Sequence, residues 1–263
     1  MNQEEKLKKY DELVKEVNNC PNVEECSKKL KITLCPCCND VNLWTYWEGG
    51  RDRLNAEILL VGQDWGHIPD VTETEKALKQ AGDARGQIKY KELFAPMNSV
   101  TDDNLCSLFK VVKGCEAVGS DFDKAERNCK NVFFTNYVCC YREGNTSGGF
   151  NKEWIENCKD NFKDLVEIIQ PKVIICLGRR AFDSVLAASG KPRSKGSYND
   201  TILKGAVKLS FGDASSMVFP MAHPGAMGTL NRCKAKDNTS KESSKKIGLE
   251  LQKKDWEKIN EYI

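Results

Sequence analysis

Residues 59–67 read "LLVGQDWGH". An apolar run of branched side chains, as a buried parallel strand requires, ends at Gly62 and passes at once into Gln63, Asp64, Trp65 and His67. A turn needs only glycine, asparagine, aspartate or proline, so an amide, a carboxylate, an indole and an imidazole gathered there point to chemistry. The imidazole carries the most weight, because the chain has only two histidines. The second, His223, lies in "FPMAHPGAMG", again just after a short apolar segment. Two such residues at two strand ends suggest one pocket assembled from distant parts of the chain.

The rest of the sequence supplies further strands and helices in alternation. "NVFFTNYV" (131–138), "KVIICLG" (172–178) and the hairpin-like "VKLSFGDASSMVFPMAH" (207–223) read as core strands. "NKEWIENCKDNFKDLVEIIQP" reads as one helix stopped before Pro171, and "RRAFDSVLAAS" as a shorter one. A helix is expected from Asp102 or Asp103, another at the amino terminus, and a lysine-rich one from Lys241 onward. This alternation predicts a three-layer α/β/α sandwich in a single domain (1–263), built on a central, mainly parallel four-stranded sheet. Ligands of open α/β sheets bind outside the carboxyl ends of the strands. The ends carrying "GQDWGH", "TNYV", "LGRR" and "AHPGAMG" are therefore expected on one rim.

Composition narrows the class. The chain of 263 residues is 30% charged and 40% hydrophobic, with a formal net charge of +2. That charge does not announce a nucleic-acid binder, yet it allows one with local basic patches. No apolar run approaches the roughly 20 residues that span a bilayer, and the amino terminus reads as a charged amphipathic helix. The expectation is an intracellular, cytoplasmic monomer with no membrane partner. In a reducing compartment the thirteen cysteines point to metal binding or simple burial rather than to a disulfide framework.

These motifs together resemble the uracil-DNA glycosylase superfamily. "GQDWGH" is similar to the GQDPYH water-activating motif of family 1 enzymes, and "AHPGAMG" to their HPSPLS loop. "NVFFTNYVCC" and "PKVIICLGRRAFDSVL" resemble strands of the iron–sulfur family 4 enzymes, "VYITNVVKC" and "PKVVVALGATA". The likeness runs from about Cys35 to Met227. It implies a monofunctional DNA glycosylase that removes uracil or a modified pyrimidine from DNA, in the cytoplasm near the nucleoid. The offsets of Cys35, Cys38, Cys140 and Cys158 resemble those of the family 4 cluster ligands, which implies a 4Fe-4S cluster. Tetrahedral zinc takes the same four ligands.

The resemblance also distributes roles. Asp64 would hold a water facing the oxocarbenium-like sugar, although an aspartate there also suits a helix cap. His223 would donate to the base carbonyl as charge develops on it, unless it is a hydrogen-bonded core histidine. Asn136 ends a buried strand, where an amide needs a partner. It would read the N3–H and O4 edge of a pyrimidine, or else cap the strand end. Gln63 would offer its backbone N–H to the base or hold the loop, and Phe94 would stack on the base or sit in the core. Gly225 belongs to the DNA-contacting turn, where Met227 matches the wedge leucine or fills the core. His67 would contact a phosphate, support Asp64 or simply be exposed, and Arg232, Lys234 and Lys236 are candidates for phosphate contact or plain solvation.

The chain departs from both families. Family 4 lacks an aspartate in the third position of the turn, where this chain has Asp64. Family 1 has a tyrosine that crowds C5 of the base, whereas Trp65 and Gly66 occupy the corresponding positions here. A pocket open at Gly66 would admit larger bases, such as those of foreign, modified phage DNA, and would suit a defence role. Two other classes stay open: a non-catalytic iron–sulfur or zinc protein that binds DNA, and a hydrolase of free nucleosides.

Overall fold

The computed structural model describes residues 1–18, 20–22, 32–33, 53–63, 100–115, 131–139, 141–142, 152–233 and 240–263. Five strands form the central sheet: β1 (Ile58–Gly62), β2 (Val132–Asn136), β3 (Val173–Leu177), β4 (Val207–Phe211) and β5 (Ala214–Met221). Their order is β2-β1-β3-β5-β4, with every pairing parallel except the β4–β5 hairpin at one edge. The expected α/β sandwich is therefore present, with five strands where the sequence suggested four. The additional strand is the hairpin partner β4, whose residues alternate between exposed and buried as an edge strand's do.

Burial on both faces explains why the strands read as unbroken apolar runs. Leu59, Val61, Ile174, Cys176 and Val218 point to one face. There they meet α1 (Gln3–Asn18), α3 (Lys152–Asn157), α4 (Lys159–Ile169) and α5 (Arg179–Ala188). Ile58, Leu60, Val173, Ile175 and Phe219 point to the other face, against α2 (Val100–Phe109) and α8 (Lys241–Glu257). A fully buried residue such as Ile174 has no solvated side to relax toward, so truncation to alanine would cost about 2–5 kcal/mol. On the second face Phe109 meets Trp256 edge to face, with ring centroids 5.1 Å apart.

The stretch expected as one helix is two, α3 and α4, divided at Cys158. Gln170 closes α4 in the left-handed conformation with φ 57°, and Pro171 then bars continuation. At the same end Lys6 of α1 donates to the carbonyls of Ile169 and Leu54, which fastens α1 across the amino ends of the strands. Two short helices complete the chain: α6 (Tyr198–Lys204), capped by Ser197, and α7 (Ala226–Cys233), which follows the His223 turn. No helix among the described residues is long and apolar enough to cross a membrane.

Candidate active site

Parallel pairing brings the carboxyl ends of β2, β1, β3 and β5 to one rim, as their polar endings suggested. In register, Gly62 faces Asn136 and Leu177 faces Met221. The β1–β2 pairing continues beyond the strands proper: Tyr137 and Val138 donate to the carbonyls of Gly62 and Gln63 at 3.0 and 3.1 Å. The backbone is thus held in sheet geometry up to Gln63, the residue before Asp64. Asp64, Trp65, Gly66, His67 and Phe94 lie outside the described residues, as do Cys35, Cys38, Cys140, Lys234 and Lys236.

Asn136 is 5% exposed at the end of β2. Its Oδ1 lies over Gly62, where an added methyl group would collide with it. The missing side chain of Gly62 therefore lets the amide lean across the end of β1 toward the middle of the rim. A buried amide is costly unless something hydrogen-bonds to it, which makes this strand end a candidate contact for a polar group.

His223 stands at the other end of the rim, beyond β5. Three interstrand spacings separate β2 from β5, roughly 14 Å at about 4.8 Å each. The turn that carries the imidazole is packed against glycines. A methyl on Gly178 would lie 3.6 Å from His223 Cβ, one on Gly225 would lie 2.9 Å from Nδ1, and one on Gly228 would collide with the His223 carbonyl. The Gly225 N–H donates to His223 Nδ1 at 3.0 Å. A backbone amide can only donate, so Nδ1 is the unprotonated nitrogen and Nε2 keeps the proton. The imidazole has an open face to solvent, yet protein surrounds enough of it that desolvation lowers its pKa below the ordinary histidine value. The site thus offers a neutral imidazole with its N–H at Nε2.

Two helices hold this turn in place. Asn104 of α2 donates to the Pro224 carbonyl at 2.6 Å, and Thr229 of α7 donates to the carbonyl of Gly225 at 3.0 Å. Gln252 of α8 donates to Thr229 Oγ1, and Gly248 lets the two helices approach until a methyl there would meet the Thr229 carbonyl. The sequence reading missed Asn104, Gly178 and Gly228. The first is a contact over 120 residues that no local pattern signals, whereas the glycines beside "LGRR" and within "PGAMG" were visible.

Arg232 takes a place different from the one the sequence suggested. It is 8% exposed and grips Asp255 of α8 with two hydrogen bonds, Nε to Oδ2 at 2.7 Å and Nη2 to Oδ1 at 3.0 Å. Its guanidinium is committed inward, tying α7 to α8, and is not presented to a phosphate. Met227, by contrast, is 68% exposed at the start of α7, directly after the His223 turn, and takes no part in the core.

Cys158 is half-buried between α3 and α4. Together with Cys139 it is close enough to the buried Tyr137 hydroxyl to help push that group's pKa upward, an effect led by burial. Cys139 itself is buried in the core. Among the described residues no group of three or more metal-ligating side chains gathers.

The strand-end rim of this α/β sandwich carries a buried amide, Asn136, at the end of β2 and a neutral imidazole, His223, beyond β5. Residues 50–243, about three-quarters of the chain, match the family model of the Uracil DNA glycosylase superfamily. The chain belongs to that superfamily, whose members are DNA glycosylases. Among curated proteins the chain has no match.

Proposed function

We propose that the protein is a monofunctional DNA glycosylase that hydrolyses the N-glycosidic bond of uracil, or of a modified pyrimidine, extruded from DNA. The observation that carries the reading is the pairing of Asn136 and His223 on one rim. One is a buried amide at a strand end, and the other is a neutral imidazole with a fixed donor. A protein that only gripped the DNA backbone would need neither.

In this mechanism the base enters between the two residues. Asn136 both accepts and donates, matching the N3–H and O4 edge of a pyrimidine. As the C1′–N1 bond breaks, its electron pair leaves with the base, and His223 Nε2–H donates to the carbonyl oxygen that gains charge. Asp64, next along the chain from the anchored Gln63, orients a water for attack on C1′ and takes up its proton. The neutral state of His223 suits a donor that stabilises developing charge without transferring a proton in the ground state. Extrusion of the nucleotide costs a few kcal/mol, and the exposed Met227 would fill the vacated stack. Within this reading His67 would contact a phosphate, Phe94 would stack on the base, and Gly66, next to Trp65 in the sequence, would leave room at C5.

Cys35, Cys38, Cys140 and Cys158 would hold a 4Fe-4S cluster, which supplies a structural tie between the amino-terminal loop and the β2–α3 region. Thiolate donors suit such a group, and Cys158 is only half-buried between α3 and α4. Anaerobically purified protein is expected to be brown and to lose colour on Cys158→Ser. Folded, colourless protein with one zinc ion per chain would overturn the cluster.

The function is tested by incubating the protein with oligonucleotides bearing uracil, thymine opposite guanine, hypoxanthine, or hydroxymethylated or glucosylated cytosine. Abasic sites are then scored by alkaline cleavage, with free nucleosides as a parallel substrate. Abasic sites in at least one pyrimidine duplex support the reading. Turnover of free nucleosides alone would replace it with a nucleoside hydrolase.

A further inference from the structure

The segment between α5 and α6, "GKPRSKGS" (190–197), contains Lys191, Arg193 and Lys195, all exposed. Exposed lysines are ordinary, but the path of this segment is not. Lys191 is held at the far end of α5, where its N–H donates to the Leu186 carbonyl. The chain then climbs back along the helix. Ser194 bonds to Asp183 through its N–H and hydroxyl, and the Gly196 carbonyl accepts from the Arg179 guanidinium. Arg179 is the first residue of α5 and follows Gly178, which packs on His223. The loop therefore ends at the same rim as the candidate active site.

Its next residues join the helix that carries Met227. Asn199 donates to the Asn231 carbonyl at 2.8 Å, and Asn231 stands four residues after Met227, hence one turn along the same face of α7. The nearby carboxylates are engaged by hydroxyls: Asp183 by Ser194, and Asp200 by Ser197. Arg193 and Lys195 form no ion pair among the described residues, so their charge is presented to solvent. The loop is thus hydrogen-bonded in place and basic, and the helix that follows it is tied to the helix that carries the exposed methionine.

We propose that this loop is a phosphate-binding track for DNA, with Arg193 and Lys195 contacting successive phosphates of a strand that passes Met227. The proposal rests on the glycosylase reading and adds a contact surface outside the rim. One strand of a duplex presents a phosphate about every 3.4 Å of axis, so two cations two residues apart on an extended loop can meet neighbouring phosphates. Arg179 acts here as a positioning residue: it holds the Gly196 carbonyl and stacks on Tyr198, with its guanidinium carbon 5.6 Å from the ring centre.

The test measures binding of the full chain to a short unmodified DNA duplex over a range of salt concentrations. Because phosphate contacts carry no base information, no damaged base is needed. Arg193→Ala and Lys195→Ala should each make the slope of log K against log salt shallower by about 0.9, and the double variant should bind roughly sixtyfold more weakly near 0.1 M salt. Both substitutions leave the backbone bonds of Ser194 and Gly196 intact, so melting temperatures should match the wild type. Lys172→Ala, at the amino end of β3 and thus on the opposite rim, should bind as wild type does. A double variant with the wild-type slope, or a Lys172 variant weakened to the same degree, would overturn the track alone. A wild-type protein that binds no DNA would overturn the glycosylase reading with it.

Discussion

The backbone N–H of Gly225 donates to Nδ1 of His223 across 3.0 Å, two residues apart in one turn. This single bond sets the tautomer, and the surrounding protein keeps the ring neutral. Both properties have consequences that can be measured.

The pKa of His223 lies below its ordinary value of 6.5 because burial disfavours the charged ring. Between the lowered folded pKa and 6.5 the unfolded chain binds a proton that the folded chain does not. Stability is therefore full above about 6.5 and falls as the pH drops toward the folded pKa, below which this contribution stays flat. His223→Gln should remove that part of the pH dependence, read as melting temperature against pH for both proteins. Identical curves would mean that His223 titrates as it would in solution. The same substitution should raise the barrier to base excision by about 2–4 kcal/mol, the scale of one lost donor at a developing charge.

Gly62 and Asn136 should behave as a unit. Gly62→Ala places a methyl where Asn136 Oδ1 lies, and displacing the amide costs roughly 1–3 kcal/mol in a packed site. Single-turnover excision by Gly62→Ala is expected to fall toward that of Asn136→Ala. The double variant should be little worse than Asn136→Ala alone, since both changes remove one interaction. Fully additive losses would show that Gly62 acts on something other than the amide.

Arg232→Met takes both hydrogen bonds from the buried Asp255 and leaves it only Lys258, 3.9 Å from Oδ1, so stability should fall by up to about 3–5 kcal/mol, the cost of a broken buried pair. DNA affinity of the folded variant, and its dependence on salt, should stay at the wild-type level. A variant with wild-type stability and weakened DNA binding would return Arg232 to the phosphate role that its position in the sequence suggested.

The fold was legible because β1, β2 and β3 are buried on both faces and so announce themselves as apolar runs ending in polar turns. β4 was harder to count, since only Leu209 and Phe211 of its five residues are buried. Asn136 and His223 were legible for the opposite reason: an amide and an imidazole stand where the strand pattern calls for nothing polar. The direction of Arg232 was hidden, because it depends on Asp255, a carboxylate on another helix. The break at Cys158 was hidden as well, since neither glycine nor proline marks it. The supporting contact of Asn104 with Pro224 joins segments that share no periodicity, and only the folded chain brings them together.

The central claim is that this rim cleaves an N-glycosidic bond, with Asp64 directing the water. Single-turnover excision from the best pyrimidine substrate, compared between the wild type and Asp64→Asn, tests it most directly. The amide keeps the size of the carboxylate but can neither accept the proton nor stabilise the cationic sugar. The account predicts that excision by the variant is nearly abolished while its affinity for the same duplex is retained. Excision at the wild-type rate by Asp64→Asn would contradict it.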